Sequence, residues 1–145
     1  RNSAVDDPFD LDTCWRTAGA LDVAAMQAAA DGFVGTHDFK ALCAAGSGPA
    51  AHGDTVRTIT ACTVERQGEL VTVTVTADGY LYNMVRILAG TLVEAGRGKL
   101  DPAAVPDILA KGDRRLAGPT LPAKGLFLLR VDYPGGALHP TEGGA

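Results

Sequence analysis

The sequence contains no apolar stretch long enough to cross a membrane. Its longest candidate is interrupted by Asn83, Arg86 and Glu94, whereas a membrane-spanning helix needs about 18 or more consecutive apolar residues. The chain also lacks the basic-then-apolar start of a secretory signal peptide. With 46% hydrophobic and 21% charged residues over 145 positions, its composition predicts one main globular domain and no membrane partner.

Cysteine is scarce and irregularly spaced. The sequence has three, Cys14, Cys43 and Cys62. A disulfide framework in a secreted domain normally uses an even number of cysteines at compact spacing. Scattered thiols in an odd number are more typical of the reducing cytosol. We therefore predict a cytoplasmic protein with reduced cysteines.

Motifs for metals, nucleotides and nucleophilic catalysis are missing as well. There is no HExxH or CxxC, and the histidines His37, His52 and His139 are far apart, so a metal site is not expected. The stretch "GRGKL" follows a predicted helix, whose C-terminal end repels anions, and no strand–GxGxxG–helix unit occurs. Cys43 and His37 could be a nucleophile and its base, but Cys43 is as easily a small buried residue. We therefore predict neither a metal site nor a dinucleotide site.

Charge is unevenly distributed along the chain. The net charge is −4, yet residues 1–79 carry 5 basic and 11 acidic side chains and residues 80–130 carry 8 basic and 4 acidic ones. Local fields, and not the total charge, decide which partners a surface attracts. A solvated surface of mixed charge explains this distribution without a partner, and nucleic-acid binding by the basic half is the alternative.

Hydrophobic periodicity predicts an α+β fold, with an antiparallel sheet packed by helices. The clearest strand is 70–77, where valines alternate with threonines and a preceding turn at Gln67-Gly68 makes a hairpin with strand 55–66. Asp22 is a good N-cap for a first helix. The predicted elements in order are an acidic extended segment at 1–20, helix 22–34, strands 55–66 and 70–77, helices 79–96 and 102–110, strand 126–133, and a disordered tail at 135–145.

Arg86 interrupts the apolar stripe of the predicted helix 79–96 and needs a partner. A permanent cation is costly to remove from water unless an acceptor meets it. The guanidinium could extend to water or pair with Asp6 or Asp7 of the first segment. On a helical wheel Asn83, Arg86, Gly90 and Arg97 share one side. Gly90 would allow another segment to approach that side closely.

Several long stretches resemble the tRNA pseudouridine synthase A family, also called the TruA family. "GYLYNMVRILAGTLVEAGRGKL" is similar to its Gly-Phe-Leu-Tyr-Asn-Met-Val-Arg-Ile pattern, and "LDVAAMQAAADGFVGTHDFKALCAAGS" to its helix and Gly-x-x-Asp-Phe segment. "DTVRTI" resembles a family strand, and "GDRRLAGPTLPAKGLFLLRVDY" resembles its Asp-Arg…Gly-Pro-Thr-Ala-Pro…Gly-Leu run. The resemblance covers nearly the whole chain, with mild departures at Tyr80, Ala89, Ala95 and Leu121.

The resemblance implies an enzyme that isomerises uridines 38 to 40 of the tRNA anticodon arm to pseudouridine without a cofactor. The family's catalytic aspartate lies in an Arg-Thr-Asp-x-Gly-Val-His-Ala segment, which this sequence does not contain. We therefore expect residues 1–134 to be a pseudouridine synthase-like C-terminal domain that is inactive alone. Its expected partners are tRNA, the N-terminal domain of the same protein and a second copy in a homodimer. The alternative is a non-catalytic RNA-binding or dimerisation module.

The resemblance also assigns roles to residues. Arg86 matches the active-site arginine that keeps the catalytic aspartate ionised through charge-assisted hydrogen bonds. Tyr82 and Asn83 are expected to line the uridine pocket. The candidates for tRNA phosphate contacts are Lys40, Arg57, Arg114 and Arg115, each of which a solvated surface charge explains equally well. Within this chain Asp38 is the best substitute for the aspartate, but it lies in a family loop outside the catalytic motif. Asp78 lies at a predicted helix start, where capping explains it.

Overall fold

The computed structural model describes residues 1–5, 7–43 and 53–132 and confirms the α+β class. Among these residues, no helix is long and apolar enough to span a bilayer. The elements in chain order are α1 (Val23–Phe33), β1 (Gly35–Asp38), β2 (Val56–Gln67), β3 (Leu70–Ala77), α2 (Met84–Gly96) and α3 (Val105–Lys111), with 3-10 turns at Lys40–Leu42, Pro102–Ala104 and Arg114–Leu116.

The predicted hairpin is confirmed. β2 and β3 pair antiparallel with Val64 opposite Val73 and Gln67 opposite Leu70, and a bulge near Ile59 shifts the register by one residue. Gly68 in the connecting turn has a positive φ of 60°, which glycine adopts without steric cost. The valines of β3 face the interior and its threonines face outwards, as the alternation predicts.

A third strand, β1, was not predicted. It pairs antiparallel with β2, with His37 opposite Arg57, and gives a sheet of order β1-β2-β3. Its four residues are too short for an alternating pattern to stand out from a loop. The strand forms because β2 lies in the middle of the sheet, and the edge of β2 that faces away from β3 offers its backbone donors and acceptors to the chain leaving α1.

One hydrophobic core holds the sheet and the helices together. α1 begins at Asp22, whose side chain accepts the Ala25 N–H, and it packs against both β2 and α2. The largest fully buried side chains come from several elements: Met26 and Phe33, Phe39, Leu42, Ile59, and Met84, Ile87, Leu88 and Leu92 of α2. The predicted burial of Met84, Leu88 and Leu92 is therefore confirmed.

The start of α2 was predicted five residues too early. The helix begins at Met84, because Asn83 has a left-handed φ of 61° that interrupts helical geometry. Leu81 nevertheless reaches the core, which explains why the apolar stripe extends upstream of the helix. Asp78 does not cap α2; its carboxylate accepts the Thr58 N–H at the end of the β2–β3 ladder.

The predicted strand at 126–133 is wrong for residues 126–132, which form no strand. Alternating apolar residues form a strand only where a partner backbone is available, and no strand of the described residues pairs with this segment. Phe127, Leu128 and Leu129 are 62%, 77% and 81% exposed. Residue 133 and the predicted disordered tail 135–145 lie outside the described residues.

Leu88→Ala should lower the free energy of unfolding by about 2–5 kcal/mol. Leu88 is completely buried in the core, and truncation there removes burial and leaves a cavity. Urea unfolding of the 145-residue chain measures the change, with the exposed Leu128→Ala as the matched control. A loss below about 1 kcal/mol would contradict a core position for Leu88.

Candidate functional site

Arg86 lies in the first turn of α2, and neutral oxygens hold its guanidinium. Nε donates to the carbonyl oxygen of Leu121 at 2.6 Å, and Nη1 donates to Oδ1 of Asn83 at 2.9 Å. Within the part of the chain that the structure describes, no carboxylate oxygen lies within 4.0 Å of this guanidinium. Asp7 pairs with Arg1 instead, and Asp6 lies outside the described residues.

The backbone of Leu121 contacts Arg86 twice. Besides the Nε contact, the Leu121 N–H donates to the Arg86 carbonyl oxygen at 3.2 Å. Two contacts to one residue fix both the helix backbone and the side chain relative to the segment that carries Leu121. The edge of the guanidinium that bears Nη2 has no hydrogen-bond partner among the described residues. At least two charged N–H groups thus remain available to an anionic acceptor.

A cleft of about 340 Å³ adjoins Arg86. Its walls are mainly apolar and come from the first segment, β3, α2 and the residues after α3: they include Trp15, Val71, Val73, Val85, Ala89, Leu121 and Phe127. Arg86 and Lys124 are among the cations that line it. An arginine at an apolar wall has fewer waters to screen its charge, which strengthens its attraction for a carboxylate.

The two residues predicted beside Arg86 have different surroundings. Asn83 contacts it directly and, with its left-handed backbone, sets the start of α2. Tyr82 is 60% exposed and does not line the cleft. Its neighbour Tyr80 donates its hydroxyl to the Val75 carbonyl oxygen. The structure thus brings together Arg86 and Asn83, while the Tyr82 ring stays open to solvent.

Gly90 allows the segment 118–121 to lie directly on α2, as the helical wheel suggested. A Cβ added at Gly90 would come within 1.8 Å of the Pro119 carbonyl oxygen, and one added at Gly118 within 2.5 Å of the Thr91 nitrogen. The Gly118 N–H donates to the buried Thr91 hydroxyl at 2.9 Å. This close approach places Leu121 next to Arg86.

The candidate phosphate contacts divide into engaged and exposed cations. Arg114 donates to the Gly118 carbonyl oxygen and the Thr120 hydroxyl. Arg57 donates to Asp54 and to the Val56 carbonyl oxygen. Arg115 is exposed beside Asp113, and its hydrogen bond lowers the pKa of that carboxyl to about 2. Lys40 is exposed and packs against Gly112, in a turn adjoining the Arg114–Leu116 turn.

Other chemical groups in the described residues serve the fold. Asp38 accepts hydrogen bonds from the Lys40 N–H and the Thr55 hydroxyl. His37 hydrogen-bonds to the Val34 carbonyl oxygen, and its ring packs edge-on against Phe39. Burial raises the pKa of the Cys62 thiol to about 11, which keeps it protonated and unreactive. Within the described ranges, no group of three or more His, Cys, Asp or Glu side chains could hold a metal ion.

Sequence reasoning missed Leu121 and Thr91 as parts of the site. Leu121 acts through its backbone carbonyl, which every residue possesses, so its residue type gives no signal of this role. Thr91 is a hydroxyl inside an apolar helix stripe, and it also donates to the Ile87 carbonyl oxygen. The nearby Gly-Pro in "AGPTLP" was the available signal, because a glycine beside a proline marks an irregular segment that can approach a helix.

A family model described as tRNA pseudouridine synthase matches residues 29–134. The chain belongs to the tRNA pseudouridine synthase family. Arg86, Asn83 and the segment 118–121 all lie within the residues that match the family model.

Relatives in this family are similar over most of the chain. The tRNA pseudouridine synthase A of Moorella thermoacetica is 48% identical over 132 residues, which are 91% of this chain and 52% of the relative. The tRNA pseudouridine synthase A of Geotalea uraniireducens is 46% identical over 132 residues, which are 91% of this chain and 53% of the relative. The tRNA pseudouridine synthase A of Brevibacillus brevis is 51% identical over 113 residues, which are 78% of this chain and 45% of the relative. The chain thus spans about half the length of the curated relatives it matches.

Proposed function

We propose that this chain supplies the arginine-bearing part of a tRNA pseudouridine synthase active site. One observation carries the proposal: Arg86 is held at the wall of a cleft by neutral acceptors, with charged N–H groups left over and no carboxylate beside it among the described residues. Such an arrangement suits an arginine that receives a carboxylate from another segment. The family membership supports the same role for Arg86.

The proposed reaction isomerises uridines 38 to 40 of the tRNA anticodon arm. The bond from N1 to C1′ breaks, the base turns, and a bond from C5 to C1′ forms; the C5 proton is released to solvent and N1 takes up a proton. An ionised aspartate is needed as nucleophile or base, and a neighbouring guanidinium lowers the pKa of that carboxyl. Because Leu121 already occupies Nε, the aspartate would meet the Nη1–Nη2 end of Arg86.

The aspartate and part of the RNA site are proposed to come from outside these 145 residues. Residues 1–134 would act as the domain that packs against the N-terminal domain of the same protein, and the full-length enzyme would be a cytoplasmic homodimer without a cofactor. The apolar side chains of segment 126–132 are exposed in this chain alone. Their exposure supports the proposal that another domain or a second copy packs over them.

RNA contacts are proposed around Arg86. Tyr82 is proposed to line the uridine pocket and stack on a base; its 60% exposed ring, on the turn that leads into α2, supports this. Asn83 would meet the uridine beside Arg86. The exposed Lys40 and Arg115, together with Arg57, are proposed contacts for tRNA phosphates. Arg114 was expected among them, but both of its terminal nitrogens donate to acceptors within the chain.

Pseudouridine formation by separated parts tests the proposal. The chain is incubated with unmodified tRNA tritiated at C5 of uridine, alone and with a polypeptide carrying the Arg-Thr-Asp segment. We expect no tritium release from the chain alone and release from the mixture, because only the mixture contains both the arginine and the aspartate. The full-length protein is assayed in parallel, so that failure of the parts to associate does not decide the result.

The Arg86→Ala chain is the matched control, and it should not restore activity in the mixture. Tritium release by the chain alone would contradict a site shared with another segment. Binding of tRNA with no release from the mixture or from the full-length protein would favour the non-catalytic RNA-binding module instead.

A further inference from the structure

We propose that Arg114 is a positioning residue, which orients Arg86 through the segment 118–121, and not a contact for tRNA phosphate. The inference rests on the proposed function, since it concerns how the same arginine is held. Three successive sets of contacts connect Arg114 to the guanidinium of Arg86.

The first set joins Arg114 to the beginning of the segment. Nη1 donates to the Gly118 carbonyl oxygen at 2.8 Å, and Nη2 donates to the Thr120 hydroxyl at 3.2 Å. Arg114 itself begins a 3-10 turn that Asp113 caps by accepting the Arg115 N–H. The guanidinium therefore spans two acceptors from a fixed backbone position.

The second set presses the segment onto α2. The Gly118 N–H donates to the buried Thr91 hydroxyl at 2.9 Å, so that Arg114 and Thr91 hold the two polar groups of the same glycine. Gly90 and Gly118 permit contact between the two backbones, because a Cβ at either would overlap the other. The segment has no room to slide towards the helix and is held from moving away.

The third set ends at Arg86. Leu121 donates its N–H to the Arg86 carbonyl oxygen and accepts from Nε at 2.6 Å. With Nε occupied, rotation of the guanidinium is restricted and Nη2 keeps one direction. If Arg114 is removed, the Gly118 and Thr120 contacts are lost and Leu121 is free to shift relative to α2.

A contact with phosphate would make different demands on Arg114. A phosphate would have to compete with the Gly118 and Thr120 oxygens for this half-buried residue, because each of its terminal nitrogens already donates within the chain. A lysine keeps the charge that attracts phosphate but has one nitrogen for two acceptors. Arg114→Lys therefore separates the two roles.

Kinetics of the full-length protein provide the first test. We expect Arg114→Met and Arg114→Lys each to lower kcat about 10- to 100-fold, as small misplacements of catalytic groups do. KM for tRNA should stay within about twofold, because ground-state binding is not altered. The control is Lys111→Met, which removes an exposed charge from the last turn of α3. A raised KM with unchanged kcat, restored by lysine, would overturn the proposal in favour of a phosphate contact.

A structural measurement on the 145-residue chain distinguishes failure of this inference from failure of the proposed function. The Arg86 Nε–H resonance, identified by its loss in Arg86→Lys, should lose its hydrogen-bonded shift in Arg114→Met and keep it in Lys111→Met. An unchanged resonance in a folded Arg114→Met chain would overturn the positioning role. The third outcome is that Arg114→Met loses the hydrogen-bonded shift of Arg86 Nε–H, while Arg86→Ala keeps full turnover in the full-length protein. In that case the proposed function fails, and the structural link between Arg114 and Arg86 stands.

Discussion

Arg86→Ala should lower kcat of the full-length protein about 100- to 1,000-fold, the usual loss when one charged donor is removed from a catalytic centre. At the wall of an apolar cleft, the Nη2 side of Arg86 has no hydrogen-bond partner in residues 1–5, 7–43 and 53–132. Under the proposed function, that side holds the catalytic carboxylate in its ionised form. KM for tRNA should change little, because the arginine meets the carboxylate and not the RNA backbone.

The pH dependence of the alanine variant should identify the electrostatic part of this effect. An arginine lowers the pKa of a neighbouring carboxyl, so its removal raises that pKa by about 1–3 units. The variant should therefore lose activity at a higher pH than the wild type as the solution is made more acidic. Measuring kcat/KM against pH on the free enzyme reports this pKa.

Arg86→Lys should rescue only part of the activity. Lysine keeps the positive charge and thus much of the pKa effect, but it cannot donate to Leu121 and a carboxylate at once in the fixed fork of arginine. Arg97→Ala is the matched control, because Arg97 follows α2 at its other end and contacts Thr17 and Glu94. Full turnover by Arg86→Ala would refute the role of Arg86.

Gly90→Ala should lower kcat about 100-fold without removing any functional side chain. The new methyl group would lie 1.8 Å from the Pro119 carbonyl oxygen, so the segment 118–121 must move away from α2. Leu121 would move with it and release Nε of Arg86. Overpacking of this kind should also cost about 1–3 kcal/mol of unfolding free energy.

Turnover of the full-length protein and urea unfolding of the chain measure the two effects of Gly90→Ala. Gly79→Ala is the control, because a Cβ there meets the Arg57 side chain at an ordinary 3.4 Å. Wild-type kcat in Gly90→Ala would show that the close approach of segment 118–121 has no bearing on Arg86. A stability loss with unchanged kcat would lead to the same conclusion.

Local chemistry decided those parts of the fold that were predicted correctly. The Asp22 cap and the apolar spacing from Met26 to Phe33 define α1 within a single stretch of chain. Alternation in 70–77 defines β3, and a glycine turn joins it to β2. These signals act between residues at most a few positions apart, so the sequence carries them in full.

Some features depended on backbone groups that belong to distant segments. β1 exists because β2 offers it free backbone donors and acceptors. Residues 126–132 form no strand because no described strand offers its backbone donors and acceptors to them. Alternation in the sequence could not distinguish these cases, since it records which face of a strand is apolar and not whether a partner is present.

The sequence alone marked Arg86 as a cation that needed an acceptor, because an arginine within an apolar helix stripe is costly to leave unpaired. It also marked Gly90 as a place where something could approach α2. Only the tertiary structure decided that Pro119 makes that approach and that the Leu121 carbonyl is the acceptor. The physical reason is that a backbone carbonyl has no residue type, so its position depends on how the chain is packed.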